Sequence, residues 1–200
     1  ACLKASLEAG EVTTVSKINT IADGTAVQTP GDKLFPYLQA NVDHVITVDD
    51  SELTLSFLDM AENHKMIVEN SGLLTVAALK HLDFKGKKVV SVLSGGNMDV
   101  LTMATVVQNG LMQRDRIFTV SVMLPDKPGQ LAAVSSLIAK EQGNVIKLEH
   151  NVFANVNRTA GVELTITLES FGTEHKDQII KALEAAGYCP VITKTNGIYM

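Results

Sequence analysis

The sequence predicts an α/β chain in two parts. An incomplete three-layer α/β segment covers residues 1–113, and a ferredoxin-like βαββαβ plait follows over residues 114–200. Three observations predict this. Up to about residue 113, short apolar runs alternate with amphipathic helical stretches, the pattern of a largely parallel sheet covered by helices. From Arg116 onward, apolar and polar residues alternate one by one, as in an antiparallel sheet with one open face. The charge divides at the same place: Lys and Arg number 8 against 13 Asp and Glu before Arg114, and 9 against 9 from it onward.

The elements of the first part follow in order. Residues 1–8 (ACLKASLE) read as a helix carrying Leu3 and Leu7, stopped by Gly10. No capping residue precedes it, so the chain reads as a piece that opens inside an element. Residues 12–15 form a weak strand. Thr29-Pro30-Gly31-Asp32 is a turn, and residues 33–40 a helix. Residues 43–48 (DHVITV) form a buried strand. Asp49 or Asp50 then caps a helix to His64, with Leu53, Phe57 and Met60 on one face. Asn70 or Ser71 starts a further helix with Leu74, Ala77, Ala78 and Leu82. Residues 87–93 (KKVVSVL) form a second buried strand that runs into Ser94-Gly95-Gly96-Asn97. A helix from Met98 or Asp99 to Gln113 closes this part. Two central strands are too few to complete an α/β sheet.

The second part reads more sharply. Residues 117–124 (IFTVSVML) form a strand with Phe118, Val120, Val122 and Leu124 on one face and Thr119 and Ser121 on the other. Residues 131–141 form a helix with Leu131, Val134 and Ile138 on one stripe and Gly143 as its stop. Residues 145–155 are the second strand. Residues 161–170 are the third, with Val162, Leu164, Ile166 and Leu168 inward and Glu163, Thr165, Thr167 and Glu169 outward. Thr173 caps a helix to Ala186 that turns Ile179, Ile180 and Leu183 inward and ends at Gly187. Residues 188–194 supply the last strand. The order is βαββαβ.

Composition excludes several classes. The 200 residues carry a net charge of −5 and are 46% hydrophobic and 20% charged. A disordered chain needs low hydrophobicity and high net charge. A nucleic-acid binder shows a basic surplus, and an RNA-binding sheet shows aromatics on its open face, where this sequence places Glu163, Thr165, Thr167 and Glu169. No apolar run approaches the roughly 20 residues of a membrane helix, and no signal peptide is visible. Cys2 and Cys189 show no metal or redox spacing, nor do the histidines. Two reduced, buried thiols and a cytoplasmic location are the expectation.

The loop after the first plait strand is Pro125-Asp126-Lys127-Pro128-Gly129-Gln130-Leu131. Asp126 can cap the following helix, Pro128 suits its first turn, and Gly129 removes a side chain where it begins. A helix start offers free N–H groups to a carboxylate. The same residues can equally build nothing more than a tight capped turn. The D-x-P-G-x-L stretch at this point of a βαββαβ unit resembles the ACT domain, a regulatory module for small amino acids, over residues 116–196. The resemblance implies an effector site of Asp126, Pro128, Gly129, Gln130, Leu131 and Asn144, with Leu124, Leu131 and Val145 around an aliphatic side chain. Isoleucine or valine is the first expected ligand. Edge strands with free backbone groups make a homo-oligomer through the plait the expectation.

In the first part, Ser94-Gly95-Gly96-Asn97 puts a hydroxyl and two glycines at the end of a predicted buried strand, where open α/β sheets bind ligands. A plain strand-to-helix turn has the same form. A wider run is more telling: Thr20-Ile21-Ala22-Asp23-Gly24, Pro30-Gly31, Val48-Asp49-Asp50, Val68-Glu69-Asn70-Ser71-Gly72 and Val92 to Asn97, in that order. Together these resemble the C-terminal part of the catalytic domain of the threonine dehydratase (threonine ammonia-lyase) family, fold-type II enzymes that use pyridoxal 5′-phosphate. A single ACT domain after the catalytic domain is a known arrangement in that family.

The resemblance implies the following roles. Ser94 would hydrogen-bond the pyridine nitrogen, a neutral partner suited to β-elimination. Gly24 and Glu69 would line the cofactor and substrate pocket, Gly95 would let the ring approach, and Asn97 would hold the turn. The family's Schiff-base lysine lies in an S-F-K-x-R-G stretch and its phosphate cup is a tetraglycine loop. Neither occurs in residues 1–200, and Lys33 and Lys65 sit in polar surface contexts. No catalytic residue is therefore assigned. The expected function is that of a C-terminal fragment of an enzyme converting L-threonine to 2-oxobutanoate and ammonia, inactive alone and without retained cofactor. Two alternatives are a stand-alone amino-acid-binding module and a protein that uses its plait only to dimerise.

Overall fold

The computed structural model describes residues 1–17, 19–151 and 161–195. The chain divides into two compact units, Ala1–Val107 and Gln108–Met200. No helix among the described residues is long and apolar enough to cross a membrane.

The first unit is helical. Helix α1 spans Cys2–Ala9 and ends at Gly10, whose φ of 77° is left-handed. A 3-10 turn follows at Asp23–Thr25, then α2 over Phe35–Asn41 and α3 over Asp50–Asp59. Asp49 is the N-cap of α3. Its side chain accepts the backbone N–H of Glu52, while Glu52 reaches back to the Asp49 N–H at 2.9 Å. This reciprocal pair is a capping box, and it settles which of the two adjacent acids caps the helix. A π turn, Met60–His64, ends α3 at Lys65, whose φ is 57°. Residues 70–81 form a 3-10 turn, the single turn α4 at Leu74–Ala77 and a second 3-10 turn. Helix α5 spans Val100–Gln113, beginning in the first unit and ending in the second.

Leu53 and Phe57 of α3 meet Met60, Val68, Leu73, Ala77, Val106 and Ala22 in one buried cluster. Complete burial of a side chain such as Phe57 contributes about 1.5–3 kcal/mol. The face predicted for α3 is therefore the core face. Leu82, expected on the helix from Asn70 or Ser71, is exposed beyond the end of the last turn.

Residues 12–15, 43–48 and 87–93 form no strand, contrary to expectation. The Val15 N–H donates to the carbonyl of Gln28 at 2.9 Å, without a ladder around it. Val90 is 89% exposed and Val92 66%. A central strand exists only where neighbouring strands take up its N–H and C=O groups, and no neighbouring strand lies beside these segments among the described residues.

The second unit is the plait. Strands β1 (Ile117–Leu124), β2 (Asn144–Asn151), β3 (Val162–Glu169) and β4 (Val191–Thr193) form one antiparallel sheet in the order β2-β3-β1-β4. Helices α6 (Gln130–Lys140) and α7 (Thr173–Ala185) complete it. Phe118, Val120, Val122, Leu124, Leu164, Ile166 and Leu168 pack on Val134, Ile138, Ile179 and Leu183. On the other face the Thr119 and Thr167 hydroxyls meet at 3.0 Å, and Ser121 donates to Glu163 at 2.5 Å.

Local details depart from the sequence-based expectations. Gly129, with φ 90°, is the N-cap of α6, and no side chain caps that helix, so Asp126 does not. Gly172 precedes α7, and the Thr173 hydroxyl donates to Asp115 Oδ2 at 2.8 Å instead of capping. The left-handed residue after α6 is Gln142, at φ 64°. Gly143 serves another purpose: a Cβ there would stand 2.8 Å from Ile138 Cγ2 and 3.0 Å from Ile179 Cδ1. Leu131 is exposed, since the first turn of α6 lies at the rim of the core. Cys2 is buried as expected, but Cys189 is exposed, in the connection between α7 and β4. The end of the predicted second strand, residues 152–155, lies outside the described residues.

Candidate functional site

The five residues singled out in the first part lie on three segments that touch at glycines: the turn at 20–24, the stretch 67–72 and the turn at 94–99. Gly95 has a φ of 86°, a conformation that favours glycine. A Cβ on it would lie 2.3 Å from Glu69 Oε1. The Glu69 N–H donates to the Gly95 carbonyl at 3.4 Å. One step along, a Cβ on Gly72 would lie 2.3 Å from the carbonyl oxygen of Ser94. Gly24 sits against Ser71, with its Cβ position 2.9 Å from Ser71 Oγ. Three close approaches between segments thus depend on glycine.

Glu69 and Asn97 line a cavity of about 320 Å³ with Thr20, Asp23, Asn70 and Asp99. Ser94 is exposed in the turn that leads to Asn97. A larger cavity in the same unit, about 590 Å³ between the start of α1 and residues 45–50, carries none of the five. Asp99 caps α5, taking the N–H groups of Leu101 and Thr102 at 3.0 and 2.9 Å and the Thr102 hydroxyl. These bonds, the Thr102 hydroxyl first, hold its carboxyl below the usual carboxylate range.

Two buried polar atoms in this region, Asn70 Oδ1 and Ser71 Oγ, have no partner among the described residues. In sequence, Asn70 and Ser71 read only as a helix start within the family's run of motifs. Their chemistry is hidden there because burial of an Asn is a tertiary property: Asn70 is 5% exposed. The orphaned Asn70 Oδ1, with Thr20, Glu69 and Asn97 on the same cavity wall, fits a polar-edged ring. Of the five residues, Glu69 and Asn97 are the ones that could meet a cofactor in this cavity, while Gly24 packs on Ser71 and Gly95 on Glu69.

The second set is divided. Asp126, Pro128 and Gly129 are exposed together after the last residue of β1, Leu124. Gln130 and Leu131 open α6 beside them. Asn144 pairs with Glu169, which pairs with Ile117, the first residue of β1. At about 3.3 Å per residue, the two ends of β1 are roughly 23 Å apart. The Asn144 amide donates to Glu169 Oε2 at 3.1 Å. Leu124 is 1% exposed and belongs to the core cluster. Within one chain the loop and Asn144 do not meet.

Residues 1–95 match the family described as pyridoxal-phosphate dependent enzyme, and residues 118–187 match the ACT domain. An L-threonine ammonia-lyase of Geobacter sulfurreducens is 36% identical over 192 residues, which is 94% of this chain and 48% of that protein. The chain is thus a pyridoxal-phosphate-dependent enzyme segment followed by an ACT domain, similar to threonine ammonia-lyases over nearly its whole length. A second L-threonine ammonia-lyase, from Thermotoga maritima, is 34% identical over 92% of this chain and 46% of its own length. The chain thus spans about half the length of the threonine ammonia-lyases it matches. Among solved structures, threonine deaminase isoform 2 from Solanum lycopersicum is similar over 55% of this chain and 33% of that one, at 25% identity and a TM-score of 0.49.

Proposed function

We propose that this chain is the C-terminal portion of a threonine ammonia-lyase, with the division between catalytic and regulatory parts near residues 113 and 114. The observation that carries the reading is the contact of the Ser94–Asn97 turn with Glu69, where a glycine at 95 is required. Pyridoxal phosphate, when bound, withdraws electrons from the α-carbon of an amino acid and so permits loss of its β-hydroxyl. The chain's own residues supply the surroundings. Ser94 offers a neutral hydroxyl to the ring nitrogen. Gly24 and Gly95 let the segments around the ring pack closely, Gly24 on Ser71 and Gly95 on Glu69. Glu69 presents a carboxylate that can accept or return a proton at its Oε atoms beside the substrate. Asn97 joins it on the cavity wall. The substrate is L-threonine, or L-serine, and the products are a 2-oxo acid and ammonia.

The plait binds a small branched amino acid, isoleucine or valine first. Gly129 exposes the first N–H groups of α6 to its carboxylate. A second copy supplies Asn144: two-fold pairing of sheet edges runs the strands in opposite directions, which brings opposite ends together. β2 and β4 are the edges available for it.

Two measurements test the proposal. Incubated with pyridoxal phosphate and L-threonine, the 200-residue chain forms no 2-oxobutanoate, since it holds no S-F-K-x-R-G stretch and no tetraglycine loop; the full protein does. Calorimetry with isoleucine and valine gives binding to the plait that is lost in Gly129→Asp. Turnover by the chain alone, or equal binding by the variant, overturns the corresponding part.

A further inference from the structure

We propose that Asp50 is a positioning residue of the cofactor wall, holding the Gly24 turn in place through Thr20 and Ile21. The inference rests on the cofactor reading above. Two acids head α3, and the helix uses one of them. Asp49 forms the capping box with Glu52, which leaves the Asp50 carboxylate without a part in the cap. It reaches instead thirty residues back along the chain. Asp50 Oδ1 accepts the Thr20 hydroxyl at 2.5 Å, and Oδ2 accepts the Ile21 N–H at 3.1 Å. The Thr20 Oγ1 in turn accepts the Ala22 N–H at 3.2 Å.

The other side of the same residue is held from a third segment. Asn70 Nδ2 donates to the Ile21 carbonyl at 3.0 Å. Both backbone polar groups of Ile21 are therefore satisfied by side chains, Asp50 on one side and Asn70 on the other, in a stretch outside any helix or strand. The 3-10 turn Asp23–Thr25 follows directly, closed by the Thr25 N–H on the Ala22 carbonyl at 3.0 Å. Its Gly24 rests on Ser71, the neighbour of Asn70. Thr20, Ile21, Asp23, Glu69 and Asn70 all line the same cavity. The clamp thus fixes the spacing between the Gly24 turn and the Glu69–Asn70 stretch. Hydrogen bonds to an ionised carboxylate are the stronger kind, which suits a carboxylate for this task.

The test compares Asp50→Ala, Thr20→Val and Thr20→Ser. Thr20→Val keeps the shape and removes the hydroxyl, whereas Thr20→Ser restores it. In the 200-residue chain, amide hydrogen exchange at Gly24 and Thr25 rises about tenfold or more in Asp50→Ala and Thr20→Val, while Leu53 and Phe57 in α3 stay unchanged. Thr20→Ser stays within about threefold of the parent. In the full protein, the dissociation constant for pyridoxal phosphate, followed by cofactor fluorescence, rises about tenfold in Thr20→Val and not in Thr20→Ser. Faster exchange in α3 with none at Gly24 overturns the proposal, because Asp50 then serves only its helix. An unchanged cofactor affinity in Thr20→Val overturns it as well. If the full protein binds no cofactor, the functional reading fails separately and the clamp stands or falls on the exchange at Gly24 and Thr25.

Discussion

Gly95 and Glu69 occupy each other's space: a Cβ on residue 95 would stand 2.3 Å from Oε1 of the glutamate, whose own N–H donates to the Gly95 carbonyl at 3.4 Å. The turn after residue 93 and the stretch at 67–72 are therefore built as one feature. The neighbouring crossing is tighter in kind. At Gly72 the obstructing atom is the backbone oxygen of Ser94, which cannot swing away as a glutamate side chain can.

That difference gives a ranking of substitutions. Gly95→Ala carries the strain of a left-handed φ, about 1–2 kcal/mol, and displaces Glu69 at little further cost. Gly72→Ala forces backbone apart and costs about 3 kcal/mol, at the upper end for overpacking. Urea unfolding of the two variants measures the order, and a smaller loss in Gly72→Ala would contradict the close crossing.

Gly129 offers the contrasting case, with a φ of 90° and nothing within 4 Å of its Cβ position. Gly129→Ala should destabilise the plait by about 1–2 kcal/mol through backbone strain alone. Gly129→Asn should lose less, because Asn tolerates the left-handed region better. Thermal melts of the two variants distinguish strain from collision.

Gly143→Ala acts through packing. The added methyl meets Ile138 Cγ2 at 2.8 Å and Ile179 Cδ1 at 3.0 Å. A loss of about 1–3 kcal/mol is expected. Ile179→Val in the same chain should recover part of it, and a double-mutant cycle reads that coupling.

Asp115 makes the plait sensitive to acid. Burial pushes its carboxyl up, but the Lys176 ammonium at 2.8 Å and the Thr173 hydroxyl at 2.8 Å outweigh that and leave it below the usual range. A carboxyl lower in the folded state contributes stability above its unfolded pKa, and the contribution is lost as pH falls through the folded value. Lys176→Met should therefore be less stable than the parent at pH 7, with the gap closing in acid. Urea midpoints taken down the pH scale check this, and a constant gap would remove Asp115 from the account.

His175 joins two elements of the plait. Its Nδ1 accepts the Phe171 N–H at 3.0 Å, and its Nε2 donates to the Glu141 carbonyl at 2.6 Å. The Phe171 ring stacks on it, with centroids 4.8 Å apart. His175→Leu keeps bulk and removes both bonds, for an expected loss of about 1–3 kcal/mol. Exchange of the Phe171 amide should rise with it.

Neighbours along the chain encode part of this protein directly. Alternation at Phe118, Val120, Val122 and Leu124 and through residues 161–170 sets the core faces of β1 and β3. The spacing of Leu53, Phe57 and Met60 sets the buried face of α3, and the order of short motifs from Thr20 to Asn97 carries the resemblance to threonine ammonia-lyases. The remainder depends on long-range packing. Residues 43–48 and 87–93 are apolar enough for strands, yet a strand needs partners for its backbone groups, and partners are not a local property. Asp49 and Asp50 look alike in sequence, and only the fold sends one to the helix and the other to Thr20. Asn70 becomes informative through burial. Asn144 and Gly129 read as one site because both suit an amino acid, and sheet register puts them at opposite ends of β1. Periodicity is a short-range signal, whereas register, burial and bonds across thirty residues arise when separate segments exclude water between them.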